Sequence, residues 1–342
     1  MPEDETTATS GIVHENAQPL VAANDSHSDY EDDASVASST QSLTDSIRDH
    51  IYENGRRYHR KSEHYLMPSD ETEQDRLDMA HHLQLLILGG ALHMAPVPPN
   101  PPNVLDVGTG TGIWALDFGE LHQGSAVIGV DQMPIQTTWT WPNVKFEVDD
   151  IEKEWTWKKN KFDFIHMRHL ATSIRNWPYL FQQMYDHAAP GAWVEISEHT
   201  LDELYCDDGS VPEDSIFRRY MRTLGLSVTK AGAHGYLHGR DYKRMLLEAG
   251  FVDVTIYTFK VPCGGWPKSR RFKDIGRWCA EALKTGLEAY GLALMTRYGL
   301  TEMDARELVN GSMEAMRLGK EHGYYIQYQV VGRKPRADEV AV

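Results

Sequence analysis

Apolar residues recur along this chain in two rhythms that alternate. Short runs rich in Val, Ile, Leu and Phe lie at 104–107, 126–130, 144–148, 162–166 and 192–196. Runs of this length bounded by glycine, proline and polar clusters predict buried strands. Helical spacing appears between and after them, at 113–121, 176–188 and 241–249. A sixth strand is predicted over 251–259 and a seventh over 324–331. Strands separated by helices predict an α/β fold, a mostly parallel sheet covered on both faces.

Upstream, Leu43, Ile47 and Ile51 are spaced by four and predict a helix over 42–54. Leu77, Ala80, His81, Leu85 and Leu88 predict another over 75–88. The proline-rich stretch 95–102 ends that pattern. Residues 268–320 read as a helical insertion before the last strand. Thr301 is placed to cap its final helix, with Met313 and Met316 on the same face as Ala305 and Leu308, an expected core stripe. The predicted organisation is an acidic tail without stable structure (1–42), an N-terminal helical segment (43–100), a main domain (101–335) carrying the 268–320 cap, and a short C-terminal tail (336–342).

Charge sharpens this picture. The 342 residues carry 34 Lys+Arg and 50 Asp+Glu, a net charge of −16, and 1–50 contain eleven of the acids and one base, Arg48. Such a segment cannot bury enough apolar surface to offset its ordering entropy. It reads as a solvated tail, with phosphorylation or partner binding through Ser35, Ser38, Ser39 and Thr40 as the functional alternative. The acidic balance counts against direct nucleic-acid binding. The cluster Arg56, Arg57, Tyr58, His59, Arg60, Lys61 reads as a solvated face, a nuclear signal or an anion contact. Three cysteines without a CxxC pair point to a reducing compartment, cytoplasmic or nuclear. No run of 18 apolar residues and no signal peptide is found, so no membrane association is expected.

The strongest local signal is Val104-Leu105-Asp106-Val107-Gly108-Thr109-Gly110-Thr111-Gly112-Ile113-Trp114. A strand running into glycines and then a helix is what a cofactor loop at a sheet edge requires. Ile113 stands where a dinucleotide loop carries Gly or Ala, which weakens an NAD-dependent oxidoreductase reading. Asp131 ends the second strand, where a carboxylate can accept ribose hydroxyls. Asp150-Ile151 follows the third strand, an acid to receive an adenine amino group and an apolar side chain to cover the ring.

With these motifs the chain resembles class I S-adenosylmethionine (SAM) methyltransferases, and among them the LaeA-like fungal methyltransferases associated with control of secondary metabolism. The resemblance covers about 56–335 and includes the glycine loop, Asp131-Gln132-Met133-Pro134, Phe146-Glu147-Val148-Asp149-Asp150, Phe162-Asp163-Phe164-Ile165-His166-Met167-Arg168 and Pro190-Gly191-Ala192-Trp193-Val194-Glu195. It implies a Rossmann-like seven-stranded sheet with an antiparallel last strand, and S-adenosyl-L-methionine as cofactor across its C-terminal edge. It places Gly108, Gly110 and Gly112 along the methionine moiety, Asp131 on the ribose, and Asp150 with Ile151 on adenine. Asp106, Thr109 and Gln132 join that cofactor set, Arg168 lies near the amino-acid end, and Tyr58 and Tyr65 close from the N-terminal side.

Methyl transfer from a sulfonium is an in-line displacement with an excellent leaving group, so positioning can supply much of the catalysis. A base is needed only when the nucleophile still carries a proton. Where many small-molecule O-methyltransferases read His-Asp-Trp, this chain reads Arg175-Asn176-Trp177, and arginine stays protonated. Arg175 is expected to brace its loop, and His166, His169 and His199 remain the candidate bases. Trp139, Trp141, Trp155 and Trp157 are expected as core packing, with a pocket wall as the alternative. No HExxH or cysteine cluster appears and His81-His82 is wrongly spaced for two ligands, so no metal is expected. The function expected is a SAM-dependent methyltransferase acting on a small metabolite or a protein. The alternative is a SAM-binding regulatory subunit that works through partners, such as velvet-type proteins, with little turnover.

Overall fold

A computed structural model of the chain describes residues 12–14, 50–53, 55–59, 67–199 and 201–339. In chain order its elements are β1 (Ile12–His14), β2 (His50–Glu53), β3 (Arg56–His59), α1 (Glu71–Ile87), β4 (Asn103–Val107), α2 (Ile113–Leu121), β5 (Ala126–Asp131) and β6 (Val144–Val148). There follow β7 (Phe162–Arg168), α3 (Trp177–His187), β8 (Ala188–His199), α4 (Ile216–Lys230), α5 (Gly239–Glu248), β9 (Val252–Pro262), α6 (Arg270–Arg297), α7 (Glu302–Leu318) and β10 (Tyr324–Arg333).

The main sheet runs β1-β9-β10-β8-β7-β4-β5-β6. β6, β5, β4, β7 and β8 pair in parallel, while β10 is inserted antiparallel to both β8 and β9. These are the seven expected strands, with the last one reversed. β4 has β5 on one side and β7 on the other, so the chain reverses its winding direction there, which opens a crevice beyond the strand ends.

Two expectations need correction. The acidic tail is not uniformly without regular structure, because Ile12–His14 adds an eighth strand, parallel to β9 at Ile256–Thr258; 1–11 and 15–49 lie outside the described residues. The helix expected over 42–54 is a strand where it is described, since His50–Glu53 pairs antiparallel with Arg56–His59. Asn54-Gly55 is a strong signal for a two-residue hairpin loop, and Gly55 sits at φ +79°. Turn chemistry outweighed the helical spacing at Ile51. The hairpin docks on α1 through Arg56, whose guanidinium lies 2.7 Å from Asp70, the residue that also caps the helix.

The sheet has a core on each face. One is built from β4, β5, β7 and β8 against α3 and α5, with Trp177, Phe181, Tyr242 and Leu246 fully buried. The other places Trp114, Ala115 and Phe118 of α2 against Val104, Val127 and Phe164. A third core belongs to the cap, where α4, α6 and α7 pack with Leu83 and Ile87 of α1. Met313 and Met316 are packed against it. Long helix α6 lies along α1 and packs on β9.

Candidate active site

A cleft of about 1050 Å³ opens at the C-terminal ends of β4, β5 and β7. Its floor is the glycine loop after β4, and its far wall is α1. Gly112, the residue before α2, has φ +85°, and a Cβ there would overlap the ring of Phe146. This glycine is therefore required for close packing of the loop on β6 and does not itself line the cleft. Gly110, at φ +59°, does line it.

Four of the loop's backbone donors are already occupied. Gly108 N and Thr109 N both reach Val130 O at 2.9 Å, Gly112 N reaches Thr109 O at 3.0 Å, and Gly110 N donates to Asp131 Oδ2 at 2.8 Å. A dinucleotide loop leaves such N–H groups free for a pyrophosphate. Here a carboxylate takes one of them, and acids line the cleft. That donor set suits a cofactor bearing hydroxyls, an ammonium and a sulfonium, and does not suit a diphosphate.

Asp131 is held from both sides, its other oxygen accepting from Met133 N at 2.9 Å. Burial pushes its carboxyl up to about 6, against the pull of those backbone donors. Asp106 accepts from Thr109 Oγ1 at 2.6 Å and from His166 Nδ1 at 2.8 Å. His166 also stacks on Trp114 at 3.8 Å, and burial pushes it down to about 4 despite Asp106. It is a neutral ring that holds Asp106 in place. Arg168 reaches His81 Nδ1 at 3.2 Å, and His81 Nε2 donates to Asp117 at 2.9 Å. Burial keeps His81 neutral, so it can accept from arginine and donate to aspartate at once.

Asp106, Gly108, Thr109, Gly110, Asp131, Gln132, Ile151, Arg168, His166 and His169 all line this cleft. Asp150 stands one place back, accepting from Gln132 Nε2 at 3.1 Å, and Glu152 reaches the wall instead. Tyr58 is buried on β3 and is not part of the lining, while Tyr65 lies outside the described residues. None of the four tryptophans lines the cleft. Trp155 is buried with its indole N–H on Ile151 O, Trp157 bonds Glu147, and Trp139 is exposed beside Trp141. Arg175 also stands outside the cleft, reaching Ala231 O while Glu152 accepts from its backbone N–H.

The residues that sequence reading missed come from the helices. Glu73 and Arg76 of α1 form a buried pair at 2.7 Å, and the Arg76 guanidinium lies 4.9 Å from the ring of Tyr290 on α6. Arg76, Ala80, His169 and Tyr290 line both the cleft and a second cavity of about 730 Å³ under the cap. Leu83, Phe217, Leu224, Leu287 and Tyr325 make that second cavity chiefly apolar, and His199 lies on its wall. The only sequence signal for this wall was the buried face of α1, which also carries Glu73 and Arg76.

The fold and this cleft together define a nucleoside-cofactor-binding α/β enzyme with a roofed second chamber. A model of the family described as "Methyltransferase domain" matches residues 79–256. Methyltransferase pytC of Aspergillus terreus is 39% identical over 301 residues, covering 87% of this chain and 92% of that protein. The secondary metabolism regulator LAE1 of Cochliobolus heterostrophus is 36% identical, covering 83% of this chain and 94% of that protein. The secondary metabolism regulator laeA of Aspergillus fumigatus is 33% identical, covering 84% of this chain and 77% of that protein. The chain belongs to the LaeA-like class I methyltransferases, and it is a SAM-dependent methyltransferase. Among the described residues no group of three His, Cys, Asp or Glu is arranged to hold a metal, and no helix is long and apolar enough to cross a membrane.

Proposed function

We propose that this enzyme methylates a small, largely apolar acceptor seated in the cavity beneath the helical cap. The observation that carries the reading is that this cavity adjoins the cofactor cleft, the two sharing Arg76, Ala80, His169 and Tyr290 in their walls. Bound SAM supplies an electrophilic methyl on a cationic sulfur. In this reading Asp131 and Gln132 hold the ribose, Ile151 covers the adenine, and Arg168, steadied by His81, takes the carboxylate. The apolar chamber excludes water, which suits a displacement in which charge is lost. The names of the relatives, a methyltransferase and two regulators of secondary metabolism, support a role in secondary metabolism or its control.

Incubation of a native extract with methyl-labelled SAM tests this. Label is expected in the organic-soluble fraction, and Ala282→Phe, which fills the cavity, should abolish it while leaving SAM binding intact. Label confined to protein would replace the small acceptor with a protein one. No label at all, with SAM bound, would favour the regulatory reading.

A further inference from the structure

Two loops meet at the floor of the cofactor cleft, the glycine loop after β4 and the loop 132–143 between β5 and β6. Gly110 on the first and Met133 on the second are held by the same two side chains. Asp131 accepts from the backbone N–H of both, from Gly110 N at 2.8 Å and from Met133 N at 2.9 Å. Gln136 serves the opposite pole of the same two residues. Its Nε2 donates to Gly110 O and to Met133 O, each at 2.7 Å. Both partners of that nitrogen are carbonyl oxygens, which only accept, so the amide's NH₂ end must face them, with one hydrogen for each.

This arrangement fixes backbone dihedrals. The N–H of Gly110 belongs to the peptide plane before its Cα, and the C=O belongs to the plane after it. Asp131 ties down the first plane and Gln136 the second, so φ and ψ of Gly110 are both set. The constraint matters because Gly110 sits at φ +59°, and a glycine visits positive and negative φ about equally. Nothing in its own covalent structure holds it there. Met133, fully buried, anchors the other side of the clamp. Thr111, next along the glycine loop, is tied to α1 by its Oγ1 on Asp78 at 2.7 Å. Gly110 and Asp131 line the cleft, whereas Gln136 does not.

We propose that Gln136 is a positioning residue for the cofactor, acting with Asp131 through Gly110 and Met133 to hold the glycine loop in its binding form before SAM arrives. This rests on the placement of SAM over Asp131 and the glycine loop given above, and it is independent of the acceptor. A ligand that meets a loop already fixed incurs no cost of ordering it. Without Gln136 the plane after Gly110 is released, the share of molecules with a competent loop falls, and apparent affinity falls by the same factor. Fixing the backbone of one residue corresponds to roughly five- to thirtyfold in affinity.

The direction of the hydrogen bonds separates this role from space-filling. Gln136→Met keeps the length of the side chain and removes both donors. Gln136→Glu keeps its shape almost unchanged, but an ionised carboxylate only accepts and would face two carbonyl oxygens. If Gln136 merely fills space, the Glu variant should be nearest to wild type. If it clamps Gly110 and Met133, the Glu variant should bind SAM no better than the Met variant.

Calorimetric titration of the full chain with SAM at pH 8, with melting curves to establish that each variant is folded, is the first measurement. Gln136→Met should bind roughly five- to thirtyfold more weakly than wild type, and Gln136→Glu at least as weakly. Asp131→Asn completes a double-mutant cycle. Because both side chains act on the same two residues, the double variant should lose less than the product of the single losses, by about fivefold or more. The second measurement is amide hydrogen exchange without cofactor. Exchange over 108–112 should quicken in Gln136→Met, and saturating SAM should restore protection. Wild-type affinity in either Gln136 variant, losses that simply multiply in the cycle, or unchanged exchange over the glycine loop overturns the proposal. Wild-type affinity in Asp131→Asn instead overturns the placement of SAM on which the proposal rests.

Discussion

Asp131 should couple cofactor affinity to pH, and Asp131→Asn should uncouple them. In the protein without cofactor, burial lifts this carboxyl from 3.8 to about 6. That corresponds to at most about 3 kcal/mol between its two protonation states, less for a carboxylate that opens on a solvated cleft. Because the folded chain holds this proton more tightly than the unfolded chain, Asp131's contribution to stability is full below about pH 4 and is lost as pH rises through about 6. Cofactor binding runs the other way, since ribose hydroxyls donate best to the ionised oxygen. Each charge-assisted bond is worth about 1.5–3 kcal/mol, roughly ten- to a hundredfold in affinity. The dissociation constant for SAM should therefore be flat above about pH 7 and rise by up to tenfold per pH unit below about 6. Calorimetric titrations at pH 5, 6, 7 and 8 measure this. Asp131→Asn should bind weakly at every pH with no slope, while Glu120→Ala, on the exposed face of α2, should reproduce the wild type. Gly110 N and Met133 N use both carboxylate oxygens, so melting curves must accompany the titrations. An unchanged slope in the Asp131→Asn variant would refute the reasoning.

Other substitutions probe other parts of the site. Gly110→Arg should abolish SAM binding in an otherwise folded protein, read by calorimetry, because its side chain enters the cleft. Gly112→Ala should instead lower the melting temperature, since its Cβ overlaps Phe146 and its φ is positive. Arg76→Ala strands a buried Glu73 and should cost about 3–5 kcal/mol in denaturant unfolding, whereas the double change to Leu and Met should recover much of that. Glu198 has a raised carboxyl, so the stability it contributes falls as pH rises from about 4.5 towards 8; Glu198→Gln should raise the melting temperature more at pH 8.5 than at pH 5.

The sheet was legible because each of its long strands is a compact apolar run between turn signals, and the alternation of strand and helix dictates its winding. The floor of the cleft was legible for a related reason. Asp106, the glycines and Asp131 are adjacent to strand ends, where sequence position and spatial position coincide. What sequence could not reveal lies across the cleft. Arg76 and Tyr290 are over two hundred residues apart and meet only because α6 packs along α1. Gln327 stands opposite His199 because β10 is inserted beside β8, a pairing that no local pattern encodes. The hairpin at Gly55 was missed for the opposite reason, since its Asn-Gly signal was present but the four-residue apolar spacing was given more weight.

The electrostatics of the two chambers explain why one should hold the cofactor and the other the acceptor. Charge is concentrated at the cofactor end, where Asp131, Asp106, Glu152 and Arg168 lie together. Towards the cap the ionisable groups are discharged. His199 is pushed by burial down to about 4, and Glu198 by burial up to about 8. Arg76 is neutralised by Glu73, in a pair sealed from solvent. A cationic centre at the boundary therefore faces acids on one side and neutral, apolar walls on the other. A neutral hydroxyl can enter such a chamber without the desolvation cost that an anion would incur.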